Sequence, residues 1–164
     1  MPRYLELRLV RADVACTALM LEDEAPLTCA AVWDGLTEPL EAAVHHARYS
    51  GDELYAPVPS FALVEPPLEN PSITPLRGDL MYFFRPAGEF KVDFELGNAR
   101  GVTNIALWYG PRYGANFLLV EVGFMPGSRF ARVVDNLDAF ADAAARLFVE
   151  GIAGERLRYA RSDR

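Results

Sequence analysis

The chain is poor in the residues that most often announce a chemistry. Its 164 residues include two cysteines, Cys16 and Cys29, and two histidines, His45 and His46. So few ligands predict neither a disulfide framework nor a zinc site. The sequence has no Gly-rich phosphate loop, no Walker pattern and no Gly-x-Ser-x-Gly elbow. Basic residues are outnumbered, 16 Lys and Arg against 23 Asp and Glu, for a formal net charge of -7. That balance argues against nucleic acid, which needs clustered Lys and Arg, and against an anionic membrane surface. The first stretch, MPRYLELRLVR, carries charges inside its apolar run. It reads as neither a signal peptide nor a membrane span. Together these absences predict a cytoplasmic protein with no metal and no cofactor.

What is present suits one folded unit. The length fits a single domain over residues 1–164, and 51% hydrophobic residues can fill its core. Tyr4–Arg11 alternates, with Leu5, Leu7 and Leu9 on one face and Glu6 and Arg8 on the other. This is a half-buried strand. Ala12–Asp13 turns the chain into a second, antiparallel strand over Val14–Leu21. Further strands are expected at Glu41–Tyr49, Glu53–Ala56, Leu80–Phe84, Val102–Tyr109, Phe117–Val122, Phe130–Val134 and Glu155–Arg161. Ser50-Gly51-Asp52 turns between two of them.

Two helices interrupt the strands. Asp23 is a natural N-cap and Pro26 fits a first helical turn, so a helix is expected over Glu24–Leu36. Cys29, Val32, Trp33 and Leu36 share one of its faces. The second helix is expected over Leu137–Glu150, capped by Asp135 or Asn136, with Leu137, Phe140, Ala141 and Ala144 in helical period. Both cysteines read as small buried hydrophobes. Between Pro57 and Pro75 the periodicity lapses and prolines crowd. A loop this long in a compact domain is usually functional or disordered. Its apolar Phe61, Leu63, Val64, Leu68 and Ile73 favour an ordered cover. A second long loop is expected over Pro86–Gly101.

Two segments carry a resemblance. Val14–Leu36 runs strand, acidic turn, Ala-Pro-Leu-Thr, helix, and Arg129–Ala144 runs strand, Asp-Asn, helix. Their order and spacing resemble the cyclophilins. Six further motifs, at Leu21–Cys29, His46–Tyr49, Glu53–Tyr55, Asn70–Pro71, Gly78–Asp79 and Leu107–Gly110, resemble an uncharacterised bacterial family of cyclophilin-like domains. The resemblance implies a mainly β fold: a closed or nearly closed antiparallel barrel of about eight strands with two capping α-helices. It does not imply peptidyl-prolyl isomerase activity. The place of the isomerase arginine falls at His46, and the strand Ala106-Leu107-Trp108-Tyr109 lacks the glutamine of the proline pocket.

The candidate site residues follow. Adjacent strand residues face opposite ways, so His45 and His46 separate, and Val44, His46 and Arg48 share a parity. Histidine as a residue type titrates near neutrality, so His46 suits proton transfer or ligand binding; the plain alternative is a hydrogen-bonded core or rim histidine. Glu53 and Tyr55 share a face of the next strand. His46 and Glu53 are the catalytic candidates, and His46, Arg48, Glu53, Tyr55 and Tyr82 the ligand-binding ones. The acidic Glu22, Asp23 and Glu24 are explained by a helix N-terminus. Glu69-Asn70-Pro71 either folds over a pocket or shapes a turn. An outward Trp108 or Tyr109 would suit a homo-oligomer interface. The set favours a small polar molecule in a binding module accessory to small-molecule metabolism, with an acid–base enzyme as the alternative and a peptide-binding or isomerase relative as the weakest reading.

Without a fixed cation over the amide, no isomerase activity is expected. A proline-peptide assay at micromolar protein should match the uncatalysed rate, roughly tens of seconds at 25 °C. Clear acceleration would overturn the reading.

Overall fold

A computed structural model describes residues 1–47, 51–88, 100–113 and 126–164. Leu5, Leu7 and Leu9 are fully buried on β1 (Tyr4–Leu9), while its even residues are only partly covered. This half-buried ladder pairs antiparallel with β2 (Val14–Met20), Leu7 opposite Cys16. Asp13 makes the turn between them at φ 50, a left-handed conformation that Asp tolerates. Helix α1 (Pro26–Gly35) follows. After it come β3 (Leu40–Ala43), β4 (His45–His46), β5 (Gly51–Pro59), β6 (Pro71–Ser72), β7 (Asp79–Pro86) and β8 (Gly101–Tyr113). Then β9 (Gly127–Asp135), helix α2 (Leu137–Glu150) and β10 (Arg156–Ser162) complete the described chain.

The ten described strands form one antiparallel sheet in the order β3-β10-β1-β2-β9-β7-β8-β5-β4, with β6 on β9. Among the described residues hydrogen bonds do not close it, so the architecture is a mainly β sheet with two helices. The two ends of the strand order are nonetheless consecutive in the chain. Only Val44 separates β3, on β10, from β4, on β5. The continuous strand expected over Glu41–Tyr49 is therefore broken, because its two halves serve different partners. Val44 sends its own amide to the Glu155 carbonyl at 3.4 Å. Arg48, Tyr49 and Ser50, and the expected strand Phe117–Val122, lie outside the described residues.

Helix α1 also departs from expectation. It starts at Pro26 rather than Glu24, with Ala25 at the cap position and no side-chain cap of its own. Asp23 does not cap it. The Glu69 carboxylate, from the proline-rich loop, accepts the Leu27 amide at 3.2 Å, the Thr28 amide at 2.7 Å and the Thr28 hydroxyl at 2.8 Å. A helix N-terminus carries orphan donors and a positive dipole end, and a distant carboxylate satisfies both. Helix α2 matches its expected span. Asn136 holds its cap position at φ 57, but its side chain donates to the Ala15 carbonyl at 2.7 Å instead of capping.

The main core joins the inward residues of the sheet to Cys29 and Val32 of α1 and to Phe140 and Ala144 of α2. A smaller cluster of Met81, Ala106 and Trp108 lies on the opposite face of β7 and β8, with Tyr55 and Phe83 against it. Both cysteines are free and buried. Burial pushes the Cys29 thiol up to about 12 and Cys16 higher still.

β7 and β9 are joined by a buried charge. Their register slips between Leu80 and Met81. The slip leaves Phe130 and Ala131 both on the core, and Arg129 and Arg132 both on the other face with Asp79. Asp79 is 0% exposed; Arg132 donates to its Oδ1 through Nε at 3.0 Å and Nη2 at 2.8 Å. Arg129 Nη1 lies 3.7 Å from its Oδ2, which also accepts the Leu76 amide at 2.8 Å. Removing one side of a buried ion pair strands the rest. Asp79→Ala should lower the urea-derived stability by about 3 kcal/mol with an unchanged slope. A loss under about 1 kcal/mol would show that solvent already screens this cluster.

Candidate functional site

The pairing of β4 with β5 sorts the candidate residues. His45 lies opposite Tyr55 and His46 opposite Leu54. Directly opposed residues share a face. Leu54 belongs to the main core, so His46 faces inward, whereas Glu53 and Tyr55 face the other way with His45. The His45 and Tyr55 rings stack at 5.3 Å. Burial lowers the His45 pKa; burial, and then the Glu53 charge, raise that of Tyr55. Glu53 is itself 8% exposed. The structure thus does not bring His46 together with Glu53 and Tyr55. Arg48 lies outside the described residues.

His46 instead meets β8 and α2. Its Nδ1 is 2.8 Å from the Ala47 carbonyl and its Nε2 is 2.5 Å from the Tyr109 hydroxyl. Read as a network, Nδ1–H donates to the carbonyl and Tyr109 donates to Nε2. The Phe148 ring of α2 lies 4.8 Å away.

Tyr82 occupies a different place on the inner side. It is on β7, in phase with core residue Leu80. Its hydroxyl donates to Glu65 Oε2 at 2.5 Å and accepts from the buried Thr103 hydroxyl at 3.3 Å. Ser60 donates to the other oxygen of Glu65, and Arg100 Nη2 donates to the Ser60 carbonyl at 3.1 Å. Burial pushes the Tyr82 phenol well above its ordinary pKa, and the Glu65 carboxylate adds to the rise. One carboxylate thus clasps the proline-rich loop to the sheet. The loop is held again where Glu69 donates its amide to Ser128 Oγ at 3.0 Å, and where Asn70 Nδ2 donates to the Arg129 carbonyl at 2.9 Å.

Beneath the clasp is a cavity of about 190 Å³. Pro66 and Leu68 of the loop form one wall, Tyr82, Phe83, Phe84 and Arg85 of β7 another, and Pro126 and Ser128 a third. Of the described candidate residues, only Tyr82 lines it. Sequence reasoning missed Glu65, Ser60, Thr103, Arg85 and Ser128. One signal was legible: Thr103 is a polar residue at the inward parity of β8, among Ile105 and Leu107. Glu65 gave none, because loop residues carry no period. Among the described residues no three His, Cys, Asp or Glu side chains gather as metal ligands. No helix among them is long and apolar enough to cross a membrane.

The buried phenols set an alkaline limit. Tyr82 and Tyr159 both sit above the ordinary value of 10.0 because burial disfavours the phenolate. A group whose pKa is raised on folding contributes fully below its unfolded pKa and loses that contribution as pH rises. Stability should therefore begin to fall near about pH 8.5, where the raised Cys16 and Cys29 thiols first resist ionisation, and fall further above about pH 10, where the phenols do. In Tyr82→Phe the fall should be shallower, measured as urea midpoints across that range. An identical slope in variant and wild type would contradict the assignment.

Comparison with known proteins gives the fold a setting. The DUF3830 family, described as a protein of unknown function, matches residues 7–159. McbB, solved in complex with tryptophan, superposes with a TM-score of 0.66 at 18% identity over 98% of this chain. This chain spans 45% of McbB's length. The hypothetical protein AF2241 from Archaeoglobus fulgidus superposes with a TM-score of 0.48 at 17% identity, over 98% of this chain and 95% of its own. No curated protein matches the chain. The match over residues 7–159 places this protein in the DUF3830 family of unknown function.

Proposed function

We propose that the protein is a small-molecule-binding domain, accessory to small-molecule metabolism, whose site is the cavity between β7 and the proline-rich loop. The observation that carries this reading is the lining. Three consecutive aromatic residues, Tyr82, Phe83 and Phe84, adjoin two polar groups, Arg85 and Ser128. The lining is divided about evenly between polar and apolar surface, so it offers a ligand both ring faces and hydrogen-bonding groups. At about 190 Å³ it is smaller than the clefts of drug-sized ligands, which begin near roughly 300 Å³. The ligand is therefore a compact metabolite with an apolar body and a polar end. McbB binds tryptophan on a similar fold, which is consistent with a small ligand here.

The loop serves as the cover. Its prolines limit the entropy lost when it orders, and Glu65 ties it to Tyr82. The same reading extends to the fold. Val44 links the two ends of the strand order, and this supports a barrel of the cyclophilin-like kind, with the cavity at a place where two of its strands diverge.

A metabolite screen by thermal shift tests the site. A ligand at about 100 times its Kd should add about 2.7 kcal/mol to the stability of the wild-type chain. Leu68→Trp fills the cavity from a half-exposed loop position, so it should keep the unliganded Tm and lose the shift. A hit that still stabilises Leu68→Trp as strongly as wild type would move the site elsewhere.

A further inference from the structure

The cavity touches four consecutive residues of β7, Tyr82 to Arg85. Successive side chains of a strand point to opposite faces. A cavity that meets all four therefore lies along the edge of the strand and not over one of its faces. The edge concerned is the one toward β9. On the other edge β8 pairs with β7 as far as Pro86 opposite Gly101. On the β9 side the ladder stops at Tyr82 opposite Ser128.

The reason it stops is chemical. The register runs Met81 with Arg129, then Tyr82 with Ser128. Two steps further it would place Phe84 opposite Pro126. Proline has no N–H to donate to a ladder. The phase of β7 shows what this leaves behind. The Ala87 amide donates to the Arg100 carbonyl on the β8 side at 3.1 Å, in the register that pairs Pro86 with Gly101. Odd residues of β7 thus bond toward β8 and even residues toward β9. Phe84 is even. Its N–H and C=O both point to the cavity side, and among the described residues neither finds a partner there.

We infer that this edge binds a free α-amino acid, held by the backbone N–H and C=O of Phe84 as a missing strand residue would be. The inference rests on the ligand-binding reading of the cavity and names its ligand class. An α-amino acid carries a donor and an acceptor on either side of one carbon, as a strand residue does. Its ammonium donates to the Phe84 carbonyl, which Pro126 cannot serve. Its carboxylate accepts the Phe84 N–H, with Arg85 and Ser128 in the same lining. Its side chain lies among Tyr82, Phe84 and Leu68. The volume allows about one residue, and Pro66 and Leu68 wall the cavity on the loop side, so a single amino acid fits better than an extended peptide.

Isothermal titration with a panel of proteinogenic α-amino acids, their α-hydroxy acid counterparts and short peptides tests this on the intact chain. At least one amino acid should bind, and its hydroxy acid should bind about tenfold more weakly, the effect of one charged hydrogen bond. Equal binding of the hydroxy acid overturns the inference in favour of an anion site, and stronger binding of peptides overturns it in favour of strand addition. In both cases the cavity remains a ligand site. No binding by any of them, together with no cavity-dependent hit in the metabolite screen, overturns both readings. Phe84→Pro removes the N–H from the cavity side alone and leaves the β8 ladder intact, whereas Phe84→Ala keeps the backbone and removes the ring. Phe84→Pro should lose about tenfold more affinity than Phe84→Ala. Should Phe84→Pro fail to fold, the wild-type Phe84 amide resonance decides. It should shift on adding the amino acid, and a stationary resonance overturns the inference.

Discussion

Helix α1 begins without a cap of its own, and the structure meets that deficit from 41 residues away. The Glu69 carboxylate satisfies two backbone donors and a hydroxyl at the helix start. The contact works in both directions. The helix gains the anion its dipole favours, and the long loop gains a fixed point. With Glu69 held, its neighbours fall into place: its own amide reaches Ser128, and Asn70 reaches Arg129. The cavity wall at Pro66 and Leu68 hangs between that anchor and the Glu65 clasp. Leu63 and Val64, just before the clasp, are 87% and 85% exposed. A proline-rich stretch with no period of its own is thus tied to the sheet and to α1, through side chains that complete hydrogen bonds elsewhere.

The second constraint is the period of two. It assigns every residue of β5, β7 and β8 to one face, and it does so without regard to chemistry. Ile105 and Leu107 enter the main core while Ala106 and Trp108 enter the smaller cluster. The same rule sends His46 inward to Tyr109 and leaves Glu53 and Tyr55 beside His45. Residues close in sequence therefore lie on different faces. A one-residue slip in β9, at Phe130, turns the rule to a different use. It places two arginines on one face around the buried Asp79.

Much of the fold was legible in the residues themselves. The alternation of Leu5, Leu7 and Leu9 marked β1, and the 3.6-residue spacing of Leu137, Phe140 and Ala144 marked α2 to its final residue. Tyr82 was legible as a candidate on a dense aromatic strand, and it lines the proposed cavity. The clasp partner Glu65 was not. Its role comes from meeting Tyr82 and Ser60 across a loop, and no local pattern encodes that meeting. The break at Val44 was hidden for a similar reason. The segment reads as one strand, and the break exists only because β10 and β5 stand on either side of it.

The sequence by itself determined the local period, the turns, the burial of both cysteines and the acidic surface, since each depends on neighbours within a few residues. The tertiary structure alone decided register and long-range partners: which histidine faces Tyr55, which carboxylate caps α1, and where the β7–β9 ladder ends. Register is a relation between strands distant in sequence, and a shift of one residue reverses every face. Proline illustrates both halves. That Pro126 cannot donate is chemistry written in the chain; that the β7–β9 ladder stops just short of it, at Tyr82 and Ser128, is a fact of pairing.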